Sequence, residues 1–367
     1  MMGATNNDKA GEAADRDGTP VRYLDLLRPA PGEMRLAAPG VWWMRFPLPF
    51  RLNHVNIWVL DDDGGAVTIV DSGICDAATK ALWDGVLAGP LAGKRVTRVI
   101  ATHYHPDHIG LSGWLVERTG AAFAAGMADW LLARVLSKPP SEAASAASRL
   151  FYQRAGADEA LVDYVMGRGG AYRSLVGSAP PTLQRLRIGG RLIIGGREWR
   201  IVNTAGHTPE PASLYCPALN LLISGDQVLP RISPNISVTP FEPDGDPLAD
   251  FLATFDDLRA LPADVAVFPS HDQPFVGLHD RLTALETHHR ERLDEVEALC
   301  ARPSTARELA EETFAPGLDL HQQMFALGEV LAHVNHLLGQ GRIARDLGDD
   351  GAWRYSAKRM GDDGAWR

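Results

Sequence analysis

The segment Thr102-His103-Tyr104-His105-Pro106-Asp107-His108-Ile109-Gly110 carries the side chains of this chain best suited to chemistry. Three imidazoles and a carboxylate fall within six positions, directly after the apolar β-type run from Val96 to Ala101. In an extended backbone residues two apart project to the same side, so His103 and His105 aim at one point. Pro106 ends that geometry and lets Asp107 and His108 turn toward a second point nearby. A lone loop histidine is ordinarily structural or solvated. Four nitrogen and oxygen donors packed at the end of a strand point instead to metal. The spacing suits two adjacent ions better than one, and the chemistry it implies is hydrolysis by a metal-bound hydroxide.

These residues resemble the His-x-His-x-Asp-His signature of the metallo-β-lactamase-fold hydrolase superfamily. The resemblance continues in the expected order through Gly206-His207-Thr208-Pro209, Ser224-Gly225-Asp226 and Pro269-Ser270-His271. It implies that His103, His105 and His207 hold one ion, that Asp107, His108 and His271 hold the other, and that Asp226 lies between them. It also implies a catalytic role for Asp107, which would orient the attacking water or accept its proton. The fold implied is α/β, a four-layer αββα sandwich with the metals at one edge, a helical insertion and a small C-terminal winged-helix-like module. One departure is visible. The family's third motif commonly continues with Gly after the Pro, and here Glu210 and Pro211 follow Pro209. Glu210 reads as a solvated loop carboxylate, with a substrate contact as the other reading.

The ligand set is five histidines and two aspartates with no cysteine. Two divalent ions are expected, zinc first, with iron or manganese tolerated. The bridging Asp226 is usually missing from β-lactam-hydrolysing relatives, so the resemblance points toward the glyoxalase II, lactonase, thioesterase and phosphodiesterase branches. The expected activity is hydrolysis of a carboxylic thioester or ester, with a hydroxyacyl-glutathione-like or acyl-CoA-like substrate first and a lactone or other carboxylic ester second. A phosphodiesterase, and a non-catalytic metal-binding sensor or scaffold, are the further alternatives.

The elements that must position these residues follow from pattern. Val41–Phe46, Val55–Leu60 and Ala66–Val70 read as strands, Ala77–Leu87 as a helix, and Arg95–Ala101 as the strand that delivers the first motif. A single helix is expected from Asp107 to Arg118. A second set of strands follows at Leu192–Ile194, Trp199–Asn203, Ala212–Cys216 and Leu219–Ser224. Between the two sets, residues 127–182 form a cap insertion with helices over Met127–Leu136, Ser141–Arg154 and Asp158–Leu175. Its aromatic residues, Tyr152 among them, either pack into the core or line a substrate entry suited to an apolar group.

Beyond His271 the pattern turns helical over Leu278–Leu299, Ser304–Thr313 and His321–Leu338, with Ser304 or Thr305 as the cap of the middle helix. His333 and His336 share a face of the last helix. Surface placement is the first reading for both, and reach into the substrate pocket is the second. The candidate substrate contacts are thus Glu210, Tyr152 and His336. The organisation expected is a disordered 1–20, a catalytic domain over 21–277, a C-terminal module over 278–347 and a tail over 348–367. Gly348-Asp349-Asp350-Gly351-Ala352-Trp353-Arg354 recurs unchanged as Gly361 to Arg367, which reads as a duplication or scar rather than a repeat architecture.

Composition narrows the partners. The chain has 367 residues, 45% of them hydrophobic, and a formal charge of −10. No basic run interleaved with aromatics is present, so nucleic acid is not expected as a partner. No apolar stretch approaches the ~20 residues of a membrane span. Three widely spaced cysteines, Cys75, Cys216 and Cys300, argue against a disulfide framework. A small-molecule substrate, a cytoplasmic setting and a possible homodimer complete the expectation.

Overall fold

Strands buried on both faces must be apolar at successive positions, with alternate residues serving different layers. The computed structural model, which describes residues 21–358, shows this division along each strand. Val55, Ile57 and Val59 face one layer while Trp58 and Leu60 face the other. Val67 and Ile69 part from Val70 in the same way, as do Val99 and Ala101 from Ile100.

Two seven-stranded sheets result. In the first, Arg35–Ala38, Val41–Pro47, His54–Asp61 and Val67–Val70 run antiparallel, and Val96–Ile100, Ala122–Ala125 and Gln184–Arg185 then continue in parallel. The second is ordered Arg22–Tyr23, Phe275–Val276, Ala266–Pro269, Leu221–Gly225, Ser213–Cys216, Arg197–Val202, Arg191–Ile194. Its one parallel pair joins Leu221–Gly225 to Ala266–Pro269. Trp43, Trp58, Trp199, Leu214, Ile223 and Phe268 fill the space between the sheets. Helices cover each outer face, giving an αββα sandwich of the expected class. Trp43 and Trp58 stack at 6.0 Å within the inner layer, and truncating either is expected to cost about 3–5 kcal/mol.

The first motif does not open one long helix. Pro106–Ile109 and Ser112–Thr119 are separate. The carbonyl of His108 accepts from the backbone N–H and hydroxyl of Ser72, at 2.8 and 2.7 Å, so it is engaged by a neighbouring loop at the break. Leu111 N–H likewise donates to Gly73 O.

The cap insertion contains helices Met127–Leu136, Glu142–Arg154 and Glu159–Leu175. Ser141 and Asp158 cap the second and third through their side-chain oxygens. The C-terminal part has helices Leu278–Leu299, Ala306–Thr313 and Leu320–Gly339. Thr305 is the cap of the middle one, in a reciprocal box with Glu308, and Ser304 bridges to Tyr355 instead.

The tail begins later than expected. Ile343–Leu347 and Trp353–Ala357 form an antiparallel hairpin, so Gly348–Arg354 supplies its turn and the start of its second strand. Tyr355 is buried, and Trp353 lies between the guanidiniums of Arg154 and Arg345, whose carbons are 4.8 and 4.6 Å from the ring centre. The second copy of the heptad and residues 1–20 lie outside the described residues. Cys75, Cys216 and Cys300 are free thiols. Among the described residues no helix is long and apolar enough to cross a membrane.

Candidate metal centre

All seven expected ligands follow the carboxyl ends of strands. His103, His105, Asp107 and His108 follow Val96–Ile100, His207 follows Arg197–Val202, Asp226 follows Leu221–Gly225, and His271 follows Ala266–Pro269. Since these strands belong to two sheets, the sheet edges must be drawn together. Ala212 N–H donates to Thr102 O at 2.7 Å, and Asn56 N–H donates to Ser270 O at 2.7 Å. The Asn56 amide adds bonds to the carbonyls of Pro269 and Asp272, both at 2.8 Å. At Gly225, with φ +59°, a Cβ would stand 3.2 Å from Cβ of Thr102, so glycine permits both the turn and the approach.

His103 Nε2, His105 Nδ1 and His207 Nε2 face one another at 2.9, 3.1 and 3.3 Å. A tetrahedral zinc with bonds of about 2.0–2.1 Å separates its ligand atoms by about 3.3 Å. His207 Nδ1 donates to Asn235 O at 2.8 Å, which leaves its Nε2 lone pair aimed at the other two rings. Three imidazole nitrogens converging in this way fit a shared cation.

The other half of the centre carries the carboxylates. Asp107 Oδ2 lies 3.3 Å from His108 Nε2 and 3.5 Å from His271 Nε2. Asp226 Oδ2 lies 3.4 Å from His271 Nε2 and 3.7 Å from His207 Nε2, while its Oδ1 lies 3.7 Å from His108 Nε2. Asp226 therefore touches both halves. His108 Nε2 and Asp226 Oδ1 are buried without a hydrogen-bond partner among the described residues, as donors reserved for a cation would be. His271 Nδ1 donates to His54 O at 2.7 Å.

The electrostatics of the halves differ. Burial, with neighbouring histidines, holds His103 well below its ordinary pKa and His105 at about 3. Burial also lowers His207. Burial opposes charge on His108 and His271 too, but Asp107 and Asp226 outweigh it and raise both. Although burial pushes the other way, the cationic histidines hold Asp107 at about 2 and Asp226 well below the carboxylate range.

One positioning residue was not singled out in the sequence. Asp71, fully buried at φ +64°, accepts from Thr102 N–H at 2.7 Å, Thr102 Oγ1 at 2.9 Å and His108 Nδ1 at 2.9 Å. Its only sequence signal is an acid at the end of a buried strand. Asp129 in the cap is a second: it accepts from Tyr104 N–H at 2.9 Å and Glu210 N–H at 2.7 Å, so it ties the two histidine loops to the cap.

The three proposed substrate contacts are placed differently from the ligands. Glu210 is neither solvated nor unengaged. Its carboxylate accepts from Arg185 Nη2 at 2.7 Å and from Ala128 N–H at 2.9 Å, where it caps a helix whose own N-cap, Gly126, has no side chain. His336 bonds Asp246 at 3.0 Å and Gln340 at 2.8 Å. Tyr152 is half-buried against the core that includes the C-terminal helices, and burial pushes its hydroxyl up to about 12. Tyr104, which was not proposed, has its ring 4.7 Å from that of His105.

The chain is similar to known proteins over most of its length. The profile of the Metallo-beta-lactamase superfamily matches residues 51–271, and that of the Metallo-beta-lactamase-like C-terminal domain matches residues 293–358. A beta-lactamase domain protein from Burkholderia ambifaria is 39% identical, covering 92% of this chain and 98% of its own, with a TM-score of 0.84. A metallo-beta-lactamase family protein from Thermus thermophilus is 29% identical over 88% of this chain and 100% of its own, with a TM-score of 0.74. Among curated proteins, a probable metallo-hydrolase of Bacillus subtilis (strain 168), YqjP, is 22% identical over 80% of this chain and 91% of its own. A hydroxyacylglutathione hydrolase of Stenotrophomonas maltophilia is 48% identical over 54 residues, 15% of this chain and 18% of its own.

Proposed function

Because the chain belongs to the metallo-beta-lactamase superfamily of metallo-hydrolases, we propose that it hydrolyses a carboxylic thioester or ester of a small molecule at a dinuclear centre. The observation that carries this reading is the placement of Asp226, whose two oxygens reach toward ligands of both halves. The segment shared with the hydroxyacylglutathione hydrolase supports a thioester, of the hydroxyacyl-glutathione or acyl-CoA kind, ahead of a lactone or simple ester.

His103, His105 and His207 would hold one ion and Asp107, His108 and His271 the other, with Asp226 able to serve both. Zinc suits these nitrogen and oxygen donors, with iron and manganese as substitutes. When bound, two such ions supply an acidified water and Lewis acidity at the scissile carbonyl. Asp107, half-buried at the edge of the cluster and held ionised by His108 and His271, would orient that water and accept its proton. Tyr104 walls the site on the His105 side and excludes solvent there.

The test is a panel of hydroxyacyl-glutathione and acyl-CoA thioesters, lactones and a phosphodiester, assayed with the protein stripped of metal and reloaded. Thioester turnover that disappears on stripping and returns with zinc is the expected result. Turnover confined to lactones or to the phosphodiester reassigns the substrate, and metal binding without turnover anywhere makes the protein a sensor or scaffold.

A further inference from the structure

Behind His271, on the side of its Nδ1, three arginines from separate stretches gather around His54. Arg45 stands opposite Asn56 in the strand ladder, two residues from His54, and beside Pro31. Arg28, three residues before Pro31, donates through Nη2 to Gln273 Oε1 at 2.8 Å. Arg231, in the loop after Asp226, pairs through Nε with Asp272 Oδ2. His54 itself accepts from Asp272 N–H at 2.8 Å and is fixed by Asn53 at 2.8 Å, and its ring lies 6.1 Å from that of His271.

Of the groups named here Asp272 is the only carboxylate: Arg231 pairs with it and Tyr23 Oη donates to it at 3.3 Å, while Arg28 bonds the neutral Gln273. Arg45 Nε is buried with no acceptor among the described residues. Arg45 is lowered in pKa by burial and then by Arg28, and His54 is held at about 3 by burial, then Arg45, His271, Arg28 and Arg231. A chain of formal charge −10 has thus concentrated positive charge next to a ligand of its metal centre.

An ion pair that only steadied the His271 loop would need Arg231 and Asp272. It would not need Arg28 and Arg45 as well. Guanidinium forks recognise carboxylate and phosphate oxygens in pairs. Arg28 and Arg231 are exposed, and the apolar side chains beside them in sequence, Leu27 and Ile232, are exposed as well.

We propose that Arg28, Arg45 and Arg231 form an anion subsite that receives the carboxylate or phosphate of the substrate's non-reacting arm. The subsite rests on the hydrolase reading for its role in turnover, although it can be tested by binding alone. It selects acidic carriers over neutral esters by lowering KM, because the contact is the same before and during reaction.

The test uses the zinc-loaded full chain and two probes that cannot be hydrolysed, S-methylglutathione for carboxylates and adenosine bisphosphate for phosphates. Calorimetric titration compares wild type with Arg28→Gln, Arg231→Gln and the double variant, with zinc content measured for each. Saturable binding of one probe, weakened about tenfold in each single variant and further in the double, and suppressed by salt, is expected. The probe that binds identifies the anion. No binding of either probe, or equal affinity in wild type and Arg28→Gln, overturns the proposal. Reduced zinc with unchanged probe affinity also overturns it, since that is what a purely structural role predicts. Probe binding without thioester turnover refutes the hydrolase reading alone, and turnover without an arginine effect refutes the subsite alone.

Discussion

Nδ1 of His108 lies 2.9 Å from Oδ2 of Asp71, and both side chains are completely buried. The contact fixes the tautomer of His108 and leaves Nε2 facing Asp107 and Asp226. Since Asp71 also accepts two bonds from Thr102, one carboxylate sets the aim of His108 and the path of the backbone entering the first motif.

On the proposed ligand assignment, Asp71→Asn is therefore expected to lower affinity for an ion at Asp107, His108 and His271 by about 10–100-fold, with little effect on one at His103, His105 and His207. Competition against a chromophoric chelator separates the two events. Two unaltered affinities would show that Asp71 does not govern His108.

Metal loading is expected to release protons. Burial disfavours charge on His108 and His271, yet their carboxylate neighbours raise both above the ordinary histidine value, so the metal-free protein holds protons there. An incoming ion must expel them, so affinity rises with pH until those raised values are passed. Calorimetry near neutral pH in buffers of different ionisation enthalpy measures the release. Identical heats in every buffer would contradict it.

Asp129 accepts from two backbone N–H groups on different loops, and burial raises it to about 6. Asp129→Ala leaves both donors without that partner, at about 1–3 kcal/mol each. The expected outcome is a lower melting temperature together with weaker zinc retention, because Tyr104 sits between His103 and His105. A variant as stable and as well loaded as the parent would show the tie to be dispensable.

Glu329 lies on the helix Leu320–Gly339, half-buried, and burial raises it to about 7 while Arg292 offsets part of the shift. A carboxyl raised in the folded state takes up a proton on folding, so its effect on stability becomes unfavourable as pH climbs from the usual carboxylate range through about 7. Glu329→Gln should gain about 1–2 kcal/mol at alkaline pH and almost nothing below about pH 4, where the carboxyl is neutral in the folded and unfolded chain alike. Urea unfolding at the two pH values checks this, and an equal gain at both would assign the effect to packing.

The residues that gather in the candidate centre were legible because their chemistry is written locally: His103 to His108 fall in one short run, and each later motif carries its own turn residues. Val55–Leu60 likewise read as a strand, although its burial on both faces emerged only from the packing of the two layers. The misread residues share a different property. Glu210 finds Arg185 and Ala128, 25 and 82 positions away, and His336 finds Asp246 at a separation of 90. Asp71 depends on Thr102 and His108. A side chain whose role is set by such distant partners leaves no periodic trace. The break at Gly110 was hidden for the same reason, since Ser72 and Gly73 take up backbone groups of His108 and Leu111.

The hairpin has a practical consequence for anyone shortening this polypeptide. Ala357 N–H donates to Cys300 O and Lys358 N–H to Arg342 O, so the last strand closes over the ends of two helices. Cutting before Trp353 would strip Arg154 of its aromatic partner and open the floor beneath Cys300 to water. Seven letters that look like dispensable padding supply, at their first occurrence, the turn and the opening residues of the strand that makes these contacts.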